Sequence, residues 1–211
     1  MVAVRRAGLL AIALTAIAIS GCTTLSPPDS QASVAAMTAS PRRYHNAIDV
    51  SGRLSLRYQQ DGKEQAVHGS FTWSQSTQET VVTLLSPLGQ TLATINIAPT
   101  QATLAQAGKP AQTASDVDAL TIKALGWPLP IAGLRDWLQG FGKSATGQRF
   151  TATAAAATSS VTTADNWRIQ YTNWQDQNHA DSYPKRIDLA RYVEQAGEVS
   201  IRIVIDNRQP H

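Results

Sequence analysis

Apolar and polar residues alternate strictly from Val50 to Tyr58. Val50, Gly52, Leu54, Leu56 and Tyr58 fall on one side; Ser51, Arg53, Ser55 and Arg57 fall on the other. A period of two is that of a β-strand with one buried and one wet face. Asp61-Gly62 follows as a hairpin turn, and the next run sets Val67, Gly69, Phe71 and Trp73 against His68, Ser70 and Thr72. The same period returns at Thr91, Ala93, Ile95 and Ile97, at Trp167, Ile169 and Tyr171, at Ile187 and Leu189, and at Val199, Ile201, Ile203 and Ile205. Strands of this kind predict an antiparallel sheet covered on one face.

Between two β-branched runs stands Ser86-Pro87-Leu88-Gly89. Pro presets φ at the second position of a type I turn and Gly is favoured at the fourth, so Leu88 is expected at the tip. Turn tips usually carry small or polar residues, and a large aliphatic one there is unusual.

The period changes to that of a helix twice. Asp116 and Asp118 suit an N-terminus, Val117, Leu120, Ala124 and Leu125 make an apolar stripe, and Gly126 a stop. Pro130 then opens a second helix with the stripe Ile131, Leu134, Trp137 and Leu138, closed by Gly140. Arg135 lies between stripe positions, either solvated or paired with a sheet carboxylate. A further short helix is expected around Ser33 to His45. The Ala/Thr/Ser tract from Phe150 to Thr163 is read as a weak strand pair with a loop. Two or three short helices cover only part of a large sheet. Either the sheet closes tightly on itself or an apolar cavity remains.

The first residues follow another logic. Arg5 and Arg6 precede the apolar run Ala7 to Ile19, which ends in Ile19-Ser20-Gly21-Cys22. A basic start, a short apolar core, small residues and then Cys is the pattern of a bacterial lipoprotein signal. Residues 1–21 are therefore expected to be a signal peptide, residues 22–40 a Ser/Thr/Ala/Pro-rich lipidated tether, and residues 41–211 the folded domain. Cys22, the only cysteine, is the expected lipidation site, which leaves no disulfide within the mature chain. Thr23 points to the outer membrane, because Asp at that place favours retention in the inner one under the enterobacterial sorting rule.

Removal of the signal changes the charge. Eighteen Lys and Arg against fifteen Asp and Glu give +3; without Arg5 and Arg6 the balance is sixteen against fifteen, +1. No large basic patch is implied, and nucleic-acid binding loses its electrostatic support.

A search for catalytic groups is empty. Cys22 is consumed by lipidation, and none of His45, His68, His179 and His211 stands at metal-ligand spacing from another. Gly142-Lys143-Ser144 lacks the first Gly of a phosphate loop, since Trp137 occupies that place. Asp116 and Asp118 read as helix-start acids. No enzyme activity, metal or cofactor is expected.

The residues that stand out are apolar and lie in recognisable blocks: "GRLSLR" (Gly52 to Arg57), Gly69-Ser-Phe-Thr-Trp73, "LSPLG" (Leu85 to Gly89), "GWPLPIAGLRDWLQG" (Gly126 to Gly140) and Trp167-Arg-Ile-Gln-Tyr171. Together with Cys22 they resemble the LolB family of outer-membrane lipoprotein receptors. The resemblance implies an incomplete antiparallel β-barrel with helices as a lid over an apolar cavity. It implies a receptor that accepts lipoproteins from the periplasmic carrier LolA and inserts them into the outer membrane, without nucleotide. It also gives Pro87, Leu88 and Gly89 the part of a protruding loop that engages the membrane. A lipid-anchored monomer facing the periplasm is expected.

Transfer of acyl chains needs such a container. Burial is worth about 0.8 kcal/mol per CH₂, on the order of 10 kcal/mol for one long chain. The candidate lining residues are Leu54, Leu56, Phe71, Trp73, Ile95, Ile97, Trp127, Leu134, Trp137, Ile169 and Tyr171, each of which also suits a plain core. Selection by shape is expected, with no fixed polar contacts. The alternatives are a structural or scaffold lipoprotein that uses the sheet as an interaction surface, and a soluble carrier like LolA, against which Cys22 argues.

Overall fold

The structure, a computed structural model, describes residues 42–155, 158–179 and 182–211. The signal peptide, Cys22 and the tether lie outside the described residues, as does most of the expected helix at 33–45; residues 42–45 are irregular.

Ten strands form one antiparallel sheet. In chain order they are β1 (Ile48–Gln60), β2 (Lys63–Gln75), β3 (Thr80–Leu85), β4 (Thr91–Ala98), β5 (Gln101–Gln106) and β6 (Lys109–Ala114). After helices α1 (Val117–Leu125) and α2 (Ile131–Trp137) comes a small hairpin, β7 (Phe141–Lys143) and β8 (Arg149–Thr151). The large sheet is completed by β9 (Ser159–Thr162), β10 (Arg168–Trp174), β11 (Pro184–Val193) and β12 (Gly197–Pro210). Its order is β6-β5-β4-β3-β2-β1-β12-β11-β10-β9, so it is open between β6 and β9. The first and last strands pair at its centre, Ile48 opposite Pro210. His211 Nε2 lies 2.8 Å from an Asp49 carboxylate oxygen, pinning that junction.

The turns follow their residues. Asp61 and Gly62 both take positive φ, +52° and +71°, as a tight two-residue hairpin requires. Gly52 sits where β1 shifts register against β12, and a Cβ there would stand 2.0 Å from the Val204 carbonyl oxygen. Only glycine permits that approach.

The inward face carries the alternating set, and its buried members form one contiguous core with both helices. α1 begins as its sequence requires: Asp116 accepts from the Ala119 N–H at 2.8 Å, and Gly126 closes the helix at φ +85°. Its buried face is Val117, Leu120 and Thr121, with Leu125 exposed. Leu125 lies about 80° around the helix from Val117 at 100° per residue, off the stripe assigned to it. Thr121 takes the inward place and satisfies its hydroxyl by donating to the Asp118 carbonyl and accepting from the Leu129 N–H, both at 3.0 Å. Within Phe150–Thr163, β8 and β9 are strands that do not pair with each other. β8 pairs with β7 and β9 with β10. Strands β5 and β6, which lack a clean alternation, extend the sheet beyond β4.

Candidate functional site

α2 lies over the inward face of β1–β4 and β12 without filling the space beneath it. The cavity, about 130 Å³, is lined by apolar groups alone, among them Leu54, Phe71, Ile95, Leu134, Leu138 and Ile203. Leu56, Val67, Trp73, Val82, Leu84 and Ile201 complete its sheet wall, and Leu129, Pro130 and Ile131 its roof. A volume near 150 Å³ takes a molecule of about benzene's size, so a whole acyl chain fits only if α2 moves outward.

The lining candidates divide. Leu54, Leu56, Phe71, Trp73, Ile95 and Leu134 come together around this cavity. The other five do not line it. Ile97 lies further along β4, beside Val117 and Ile131. Trp127 is buried with its ring 5.6 Å from that of Tyr58. Trp137 is packed between Gly133 and Gly142; a Cβ on Gly133 would come within 2.4 Å of its ring. Ile169 and Tyr171 are fully buried on β10, where Phe150 of the small hairpin stacks on Tyr171 at 6.0 Å. The hairpin β7–β8 carries no alternation long enough to announce it, and it is the element that seals this side.

Two polar attachments hold the lid. Arg135 donates to the Ser76 carbonyl at 2.7 Å and the Thr80 hydroxyl at 3.2 Å. It is therefore neither solvated nor paired with a carboxylate: the β2–β3 turn offers oxygens at the right reach. Gln139, fully buried just past α2, accepts from the His45 N–H and donates to the His45 carbonyl, both at 2.9 Å. Arg42 lies on Trp174 and Phe141 and donates to the Ala152 and Gln139 carbonyls. Neither Gln139 nor Arg42 gave a signal in the sequence, since a lone polar residue beside an apolar stripe reads as surface. Both attachments are at the end of the sheet where β1 starts.

The other end is open. Val67 is exposed at the rim and Leu56 and Leu84 are half-buried, whereas Ile48, Val50 and Trp73 toward the start of β1 are sealed. The β3–β4 connection projects from the open end. Gly89 N–H donates to the Ser86 carbonyl at 2.9 Å, closing the turn, with Gly89 at φ +79°. Ser86 Oγ accepts from the N–H groups of Leu88 and Gln90 at 3.3 and 3.2 Å. The loop is thus held by its own backbone and Ser86, and Leu88 stands 87% exposed at its tip.

Titratable groups near the lid are few. Asp116 is held below the usual carboxylate range by the Ala119 N–H it caps, then by the Ser115 hydroxyl. Asp118 is pushed up by burial and by the charges of Asp116 and Asp165. Burial also raises the Tyr171 phenol. Among the described residues no three His, Cys, Asp or Glu side chains gather as a metal site, and no helix is long and apolar enough to cross a membrane.

The family model of the outer membrane lipoprotein LolB matches residues 46–207. The chain belongs to the LolB family. That span takes in the large sheet except the last three residues of β12, together with the lid helices and the Leu88 loop. Outer-membrane lipoprotein LolB of Cupriavidus taiwanensis is 36% identical over 211 residues, covering 98% of each chain. The protein of the same name from Cupriavidus necator is 40% identical over 161 residues, 76% of this chain and 79% of that one. Among solved structures, a LolA superfamily protein from Nitrosomonas europaea aligns with TM-score 0.46 at 10% identity, over 81% of this chain and 88% of that one.

Proposed function

We propose that this LolB-family protein is an outer-membrane lipoprotein receptor. It accepts lipoproteins from the periplasmic carrier LolA, holds their acyl chains in the cavity under α2, and inserts them into the outer membrane. The observation that carries this reading is a wholly apolar cavity under a half-fitting lid, its weakly covered end beside the Leu88 loop. A receptor for acyl chains needs apolar walls and a movable cover, and nothing in the lining asks for a polar ligand. The function calls for no catalytic group and no cofactor.

In this reading residues 1–21 are a cleaved signal, Cys22 carries the lipid and residues 22–40 are the leash of a monomeric domain. Pro87, Leu88 and Gly89 form the membrane-inserting loop. An exposed Leu on a self-supported turn costs the fold little and gains free energy when its side chain enters lipid. The test is transfer of a lipoprotein from LolA to the purified protein and onward to vesicles, with the two steps read separately. Leu88→Glu is expected to leave acceptance intact and to lower insertion at least tenfold. Insertion at the native rate would remove Leu88 from the mechanism. Failure of the native protein to accept cargo would favour a scaffold lipoprotein instead.

A further inference from the structure

The outer face of the same sheet carries a second concavity, about 620 Å³, between side chains of β1, β10, β11 and β12. Its walls are Arg57, Arg168, Arg186 and Arg202. Its floor is made by small residues opposite one another in register, Ser200 paired with Arg57 on one side and with Ala190 on the other. Asp188 stands at the centre and accepts from Arg186 Nε and Arg202 Nε, each at 2.7 Å. Each guanidinium is thus fixed through Nε, and its two Nη groups have no protein acceptor among the described residues. Arg57 has no ion pair or side-chain hydrogen bond among the described residues. Arg168 is drawn to Glu198 at 3.5 Å. Four guanidinium groups therefore face two carboxylates, with Nη donors presented in the fork geometry that matches a phosphate.

Strand register also places the cleft. Leu85, Ser70, Arg53, Val204 and Arg186 lie opposite one another in a row across β3, β2, β1, β12 and β11. Arg57 is four residues beyond that row along β1, and Leu88 is three residues beyond it past β3, toward the same strand ends. We propose that the outer-face arginine cleft seats the phosphate of an anionic phospholipid headgroup, one with no cationic group of its own, when the Leu88 end of the sheet is applied to the bilayer. Leucine then enters the acyl region while arginine meets the phosphate layer beside it, and two contacts on different strands fix the tilt of the cavity mouth.

The inference rests on the Leu88 loop meeting the membrane, and the experiment separates the two. The full lipidated chain is reconstituted in phosphatidylcholine vesicles with and without phosphatidylglycerol. It is treated with phenylglyoxal, and modification of each arginine is mapped by peptide mass. Arg149 on β8 is the internal reference. With phosphatidylglycerol, Arg57 and Arg202 are expected to react about fivefold more slowly, the factor for one basic residue at an anionic surface, and Arg149 at an unchanged rate. Arg57→Gln, which breaks no contact of the fold, is expected to weaken protection of Arg202. Equal rates in both vesicles overturn the inference. Protection by inorganic phosphate alone assigns the cleft to a soluble anion, and protection only on addition of LolA assigns it to a protein; either overturns the headgroup. If Leu88→Glu blocks insertion while the arginines stay unprotected, only this inference falls. If Leu88→Glu inserts cargo normally, the loop reading falls.

Discussion

The two halves of the inward face are built from the same kinds of residue and packed to different ends. On β10 and β11, Ile169, Tyr171, Ile187 and Leu189 are sealed, with Phe150 of the small hairpin laid over Tyr171. On β1–β4, Leu54, Leu56 and Leu84 are half-buried, because α2 spans a gap instead of filling it. Apolar alternation is equal in both, so the difference comes from what covers them. A hairpin with its own hydrogen bonds makes a fixed cover. A seven-residue helix attached by Arg135 at one point and Gln139 at another makes one that can lift.

Mutation of each wall tests that contrast. Ile169→Ala opens a cavity in the sealed half and is expected to cost about 2–5 kcal/mol in denaturant unfolding. Leu56→Ala enlarges a space that already exists at a half-exposed position and is expected to cost less than about 1.5 kcal/mol. Equal costs would erase the distinction between the halves. Arg135→Ala removes one attachment of the lid. It is expected to lower stability by about 1 kcal/mol and to raise the rate of uptake of a fluorescent apolar probe severalfold, with no effect on the Tyr171 side.

The smallest expected effect is on pH. Asp116 has a lowered pKa in the fold, so its contribution to α1 is complete above its unfolded value, near 4, and is lost as pH falls through the folded value. Asp118, raised by burial, acts in the opposite sense and gains as it is protonated. In Asp118→Asn protein the acid loss is unopposed. Probe uptake below about pH 4 is then expected to rise before any change at Trp167, whose strand-end site is fully buried.

The sheet, both helices and the Leu88 turn were legible because each rests on local chemistry: a period of two, a capping Asp, a Pro and a Gly at set places. The cavity wall was half legible. Leu54 and Ile169 alternate alike, and which of them meets a void is decided by distant chain, α2 or β8. The outer cleft was hidden for a similar reason. A net charge of +1 for the chain without residues 1–21 suggested no basic patch, yet Arg57, Arg168, Arg186 and Arg202, far apart in sequence, become neighbours across four strands. Charge counted along a chain says little about charge gathered by register.

The pairing of β1 with β12 fixes where the domain is held. Arg42 and His45, fastened by Gln139, leave the fold at the end opposite Leu88 and the cavity mouth. Leu88 stands level with Leu56, eight residues along β1 from Ile48, so these ends are about 27 Å apart at strand rise. Covalent geometry lets the twenty residues from Cys22 to Pro41 reach at most about 70 Å. With Cys22 in the bilayer as proposed, that reach exceeds the separation more than twofold, so chain length allows Leu88 to meet the same bilayer that holds the lipid.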